Sequence, residues 1–142
     1  MKDLIQKLRP VLLSLLGMGV GYFSLCFSTA LLYTLWFMDP NHFYSPRFVA
    51  FAAVFGFVLT TLCSYLVTLI ARRAPVINAF VFSLMLTLVY TLPALLVGTN
   101  ESLLVLVLNV AIALSGAMIG GWFRYWQLHR VGVDISQPLA ES

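Results

Sequence analysis

The side chains that could carry chemistry are few and scattered along this 142-residue chain. Asp39, His42 and Glu101 fall in two short polar segments, "DPNHFYSPR" and "GTNES", while His129 and Asp134 lie close to the end of the sequence. Acid–base or nucleophilic catalysis needs a base within reach of a nucleophile. No Ser/His/Asp set, glycine-rich phosphate loop or metal cluster assembles from these residues. Asp39 and His42 together would supply two ligands where a zinc site takes three or four from the protein. The expectation is therefore no enzyme, no cofactor and no metal. The remaining polar candidates, Thr60, Thr87, Tyr90 and Asn109, sit within apolar runs and would at most form an intramembrane polar site.

The elements that must position these residues are set by composition. The chain is 61% hydrophobic and 9% charged, where a soluble domain carries about 25% charged residues. A bilayer core needs roughly 20 apolar residues per helix. Four uncharged windows of that length are present: Val11 to Met38, Phe48 to Ile70, Val76 to Val97 and Leu103 to Phe123. A mid-helix charge costs about 2.5 to 3.5 kcal/mol on insertion scales, so such windows mark spans. A barrel would show alternating segments of about ten residues instead. The predicted fold is all-α, an integral membrane four-helix bundle. It comprises an interfacial segment over 1–10, one four-span domain over 11–126 and a polar tail over 127–142.

Charge distribution orients the bundle. Lys2, Lys7 and Arg9 precede the first span, Arg72 and Arg73 separate the second from the third, and Arg124 and Arg130 follow the fourth. Only Arg47 falls on the opposite side. Basic short loops are retained in the cytoplasm, so both termini and "ARRAP" are expected there, in a bacterial-type inner membrane. Lys7, Arg9, Arg72, Arg73, Arg124 and Arg130 then act as topology anchors that snorkel to anionic headgroups. The net charge of +3 follows from these anchors and implies no nucleic-acid partner. Trp36, Phe37, Phe43 and Tyr44 form an expected outer aromatic belt, and Trp122, Tyr125 and Trp126 an inner one. The opening "MKDLIQKLRP" imitates a secretory signal, but the apolar run that follows exceeds the 7 to 15 residues or so of a signal core. It reads as an uncleaved span that starts at Pro10. Cys26 and Cys63 are expected roughly 22 Å and 10 Å of helix from the same membrane side, poorly placed to form a disulfide. Pro93 predicts a kink in the third span, freeing the Val89 carbonyl.

Small residues recur on every span. Ser14, Gly17, Gly21, Ser24 and Ser28 step by three and four; Ala52, Gly56, Thr60, Ser64 and Thr68 step by four. Ala79, Ser83, Thr87 and Thr91 follow the same step, as do Asn109, Ala113, Ala117 and Gly121, with Gly116 and Gly120 alongside. Lipid tails are as apolar as leucine, so helices associate in membranes through close backbone approach at such residues. One stripe per helix predicts one shared interior, with the larger Leu, Val and Phe side chains facing lipid. The hydroxyls are expected to bond back to their own helices. Asn109 is expected to bond across helices to Thr60, Thr87 or Tyr90.

The stretch "SYLVTLIARRAPVINAFVFSLMLTL", followed by "LSGAMIGGWFRYW", resembles a group of small bacterial four-span proteins of unassigned activity. In that group span two ends in a small-aromatic-x-x-x-x-x-Ala-Arg pattern and span four in Gly-Gly-aromatic-x-Arg. The resemblance covers Ser64 to Arg124 and implies the same four-span fold; Cys63 and Ser64 stand where those sequences often carry two glycines. Small multidrug exporters resemble the chain in length and span count, but they use a carboxylate in the first span that is absent here. Dual-topology fluoride channels are also short four-span proteins, yet the seven-to-one basic bias opposes dual insertion. The expected role is a non-enzymatic structural or accessory subunit that contacts itself or another membrane protein through its helices. The alternative is a small-solute channel or permease formed by a homo-oligomer, with Asn109 and the Pro93 kink on its path.

Overall fold

A computed structural model describes residues 2–36, 46–72, 74–98 and 103–131. These form four helices: α1 (Lys2–Trp36), α2 (Pro46–Ala71), α3 (Pro75–Val97) and α4 (Leu103–Arg130). No strand occurs among the described residues. The protein is an all-α bundle whose four helices are each long and apolar enough to cross a membrane. Asp39, His42, Phe37, Phe43, Tyr44, Arg73, Glu101 and Asp134 lie outside the described residues, as do the side chains of Tyr33 and Trp36.

The helix limits add to the sequence expectation at both ends of the chain. Helix α1 starts at Lys2, so the turns ahead of the expected span belong to the same helix, which runs through Pro10. Proline removes the bond to the Gln6 carbonyl, and Gln6 and Lys7 are exposed, so polar surroundings can satisfy that oxygen. Helix α4 continues past Trp126 to Arg130, into the segment expected to be tail. Neighbours four residues apart hold this last turn: the Tyr125 and His129 rings lie 4.2 Å apart, and the Arg130 guanidinium stacks 3.7 Å above Trp126. Both basic groups also meet the negative end of the helix dipole. Pro93 lies inside α3, which continues as α-helix to Val97. It ends where Gly98 adopts φ 64° and donates its N–H to the Ala94 carbonyl.

The tight turn between α2 and α3 places two non-glycine residues in the left-handed region, Arg72 at φ 57° and Ala74 at φ 42°. Pro75 occupies the first helical position, where its fixed φ suits the helix and its missing N–H costs nothing. The Ala74 carbonyl accepts both the Asn78 backbone N–H at 3.0 Å and the Asn78 side-chain amide at 3.2 Å. A left-handed L-residue costs about 1 to 2 kcal/mol, part of which a glycine returns as greater unfolded-state freedom. Ala74→Gly should therefore stabilise the fold by about 0.5 to 1 kcal/mol, read as a higher unfolding midpoint in an SDS titration. A lower midpoint would show that the turn stores no strain at residue 74.

Packing does not simply follow chain order. Helix α2 lies most extensively against α4, with which it runs parallel, and against α1 on its other flank; α3 packs chiefly on α4. The central cluster is Leu25, Cys63, Val67, Phe82, Leu86, Ala113 and Ala117. Large side chains thus do enter the interior, contrary to the expectation that they all face lipid. Phe82 is fully buried because Gly21 of α1 leaves room for it; a Cβ at Gly21 would lie 3.3 Å from the Phe82 ring. The buried residues lie at 17–25, 60–71, 75–86 and 113–121, all in the half next to the α2–α3 turn. In the other half, over 46–59, 87–97 and 103–112, no described residue is buried.

Candidate functional site

The residues expected at helix contacts divide by partner. Two adjacent glycines of α4 serve different neighbours. Gly116 and Gly120 face α2: a Cβ on Gly116 would stand 3.1 Å from the Phe57 carbonyl oxygen and 3.2 Å from the Thr60 Cβ. One on Gly120 would collide with the Thr61 carbonyl oxygen and reach 3.0 Å from the Tyr65 nitrogen. Gly121 faces α3, where a Cβ would overlap that of Ala79. On α1, a Cβ on Gly17 would stand 2.9 Å from the Val67 carbonyl oxygen, and one on Gly21 would meet the side chains of Val67 and Phe82. Gly56 is less crowded: among the described residues a Cβ there would meet only Ile112, at 3.9 Å, in keeping with its place in the loosely packed half.

Most hydroxyls bond to their own helix. Thr87 donates to the Ser83 carbonyl at 2.9 Å and Ser83 to the Phe80 carbonyl at 2.7 Å. Ser64 departs from the expected pattern. Its hydroxyl crosses to α4 and donates to the Ala117 carbonyl at 2.7 Å, fully buried. The crossing is possible because Gly116 and Gly120 flank Ala117 and let the two backbones approach. The Asn78 side-chain amide donates to the Ala74 carbonyl in its own preceding turn.

Asn109, Thr60, Thr87 and Tyr90 do not form one enclosed polar site. Thr60 is buried, Thr87 half-buried, and Asn109 and Tyr90 are exposed. The interhelical bond from Asn109 to Thr60 is ruled out by register. Helices α2 and α4 run parallel, and Gly116 is the residue that faces Thr60. Asn109 lies seven residues earlier, about 10 Å along the helix axis.

A polar cluster not foreseen from sequence sits at the turn end. Gln127 Oε1 accepts the Tyr65 hydroxyl at 2.8 Å and Nη1 of Arg124 at 3.4 Å. The Tyr65 ring meets Phe123 edge-on at 6.5 Å. Arg124 is half-buried, and its Nε is buried without a hydrogen-bond partner among the described residues. Arg124 is held differently from the other expected anchors Lys7, Arg9, Arg72 and Arg130, which are exposed. The clue in the sequence is spacing: Arg124 follows Gly120 and Gly121 by four and three residues, so it continues their buried face.

Cys26 and Cys63 are both free thiols, Cys63 buried and Cys26 half-buried. Among the described residues no three His, Cys, Asp or Glu side chains gather in a metal-binding arrangement. No family model, curated protein or solved structure matches this chain.

Proposed function

We propose that the protein is a non-enzymatic accessory or structural subunit of a bacterial-type inner membrane that works through helix contacts with itself or another membrane protein. The observation that carries this reading is Asn109. It lies about 9 Å of helix from the start of α4 and is exposed. Its position continues the helix face that, deeper down, packs Gly116 and Gly120 against α2. An amide left in hydrocarbon is costly, and an interhelical hydrogen bond from it is worth about 0.6 to 2 kcal/mol. A second helix laid along the loosely packed half would supply that bond. The seven-to-one basic bias supports both termini being cytoplasmic, and the motifs over Ser64 to Arg124 support kinship with the small four-span group they resemble.

The test is the assembly state of the unmodified protein and of Asn109→Leu, by native mass spectrometry after gentle extraction. Asn109→Leu should weaken association about three- to thirty-fold, the equivalent of the hydrogen bond. Unchanged association would remove the support for this reading. The same exposed amide also serves a second reading, in which a homo-oligomer lines a solute path with it; liposome flux abolished by Asn109→Leu would favour that one.

A further inference from the structure

We propose that Arg124 is the anchoring ligand of a phosphate-ester anion bound at the turn end of the bundle, with Tyr65 and Gln127 fixing the plane of its guanidinium. Lys7, Arg9, Arg47, Arg72 and Arg130 are exposed, as membrane-interface anchors are. Arg124 is instead drawn in against α2 by Gln127, whose oxygen is itself held by the Tyr65 hydroxyl. A guanidinium is permanently charged and offers five N–H donors. Only Nη1 meets an acceptor among the described residues, and Nε is buried without one.

Burying a guanidinium N–H without an acceptor is costly, and Nε of Arg124 has none among the described residues. A phosphate-ester anion suits this guanidinium. The guanidinium fork matches two oxygens of a phosphate, and holding its plane in place reduces the ordering cost of capture. The location favours the same group: Trp122, Phe123 and Trp126 are exposed around the site, and aromatic residues of this kind mark the headgroup level of a bilayer, where phosphates are concentrated. The Tyr65 and Gln127 partnership is therefore a positioning device, and Arg124 is the group that touches the ligand. A phospholipid headgroup and a soluble phosphate present the same chemistry.

The full-length protein, in nanodiscs of phosphatidylethanolamine with phosphatidylglycerol, would be transferred to detergent and its retained phospholipid counted by native mass spectrometry. The unmodified chain should keep one phospholipid per chain. Arg124→Gln should lower retention about tenfold, the loss of a charge-assisted hydrogen bond. Arg124→Lys, which keeps the charge but loses the fork, and Gln127→Leu, which frees the guanidinium, should fall between. Arg72→Gln and Arg130→Gln should stay close to the unmodified protein. If Arg124→Gln does not fold, Arg124→Lys and Gln127→Leu carry the test. Inorganic phosphate that displaces the lipid from the unmodified chain, and fails to bind Arg124→Lys, would support the site and identify a soluble source. Retention unchanged in Arg124→Gln and Arg124→Lys, or lowered equally by Arg72→Gln and Arg130→Gln, would overturn the proposal.

Discussion

Gly120→Ala should destabilise the bundle by about 3 kcal/mol, the upper end of what an added methyl costs in a close-packed interior. The reason lies in what the methyl would meet. At Gly120 the obstacles are the Thr61 carbonyl oxygen, the Tyr65 nitrogen and the Ser64 Cβ, all backbone or backbone-proximal atoms that cannot rotate away. Helices α2 and α4 would have to part, and the buried bond from Ser64 to the Ala117 carbonyl would stretch with them. At Gly21 the obstacles are side-chain atoms of Val67 and Phe82, so Val67→Ala should relieve Gly21→Ala in a double variant. No side-chain truncation on α2 should relieve Gly120→Ala. Gly19 has nothing within 4 Å, and alanine there should be neutral or stabilising by up to about 1 kcal/mol through helix propensity. SDS titrations followed by far-ultraviolet circular dichroism would rank the variants. A Gly120→Ala midpoint equal to that of Gly19→Ala would show that the two backbones are not in contact.

Phe82→Ala is expected to cost about 2 to 3 kcal/mol, and the size of the effect separates two contributions. In a soluble core the loss would include transfer of the ring from water, bringing the total to about 3 to 5 kcal/mol. In a bilayer the unfolded helices already hold their side chains in hydrocarbon, so that contribution largely disappears. What remains is the void. A cavity on the order of 100 Å3 at about 24 cal/mol per Å3 gives about 2.4 kcal/mol. Phe82 is fully buried between Gly21, Val67 and Leu86, so its surroundings cannot close without moving α1. Phe23 is 70% exposed, and Phe23→Ala should change stability by less than about 0.5 kcal/mol. Equal effects at the two phenylalanines would mean that α1 does not seat on α2 and α3 as described.

Phe82 and Phe23 also mark the boundary of what sequence alone determined. Four helices, their approximate limits and the packing roles of Gly17, Gly21, Ser64, Gly116, Gly120 and Gly121 follow from uninterrupted apolar length and from the recurrence of small residues on one helical face. Both are local properties that the 3.6-residue period converts directly into structure. Composition cannot tell a lipid-facing phenylalanine from a buried one, because lipid and protein interior are equally apolar. Phe82 is inside because the tertiary arrangement brings Gly21 of another helix opposite it. Register between helices is likewise absent from any single span. Parallel alignment of α2 with α4 sets Thr60 against Gly116 and leaves Asn109 exposed. Arg124 shows the same division: its charge predicts a membrane-interface anchor, while Tyr65 and Gln127, 62 residues apart in the chain, draw it inward. Helix periodicity fixes which residues share a face; only the docking of one helix on another decides what that face meets.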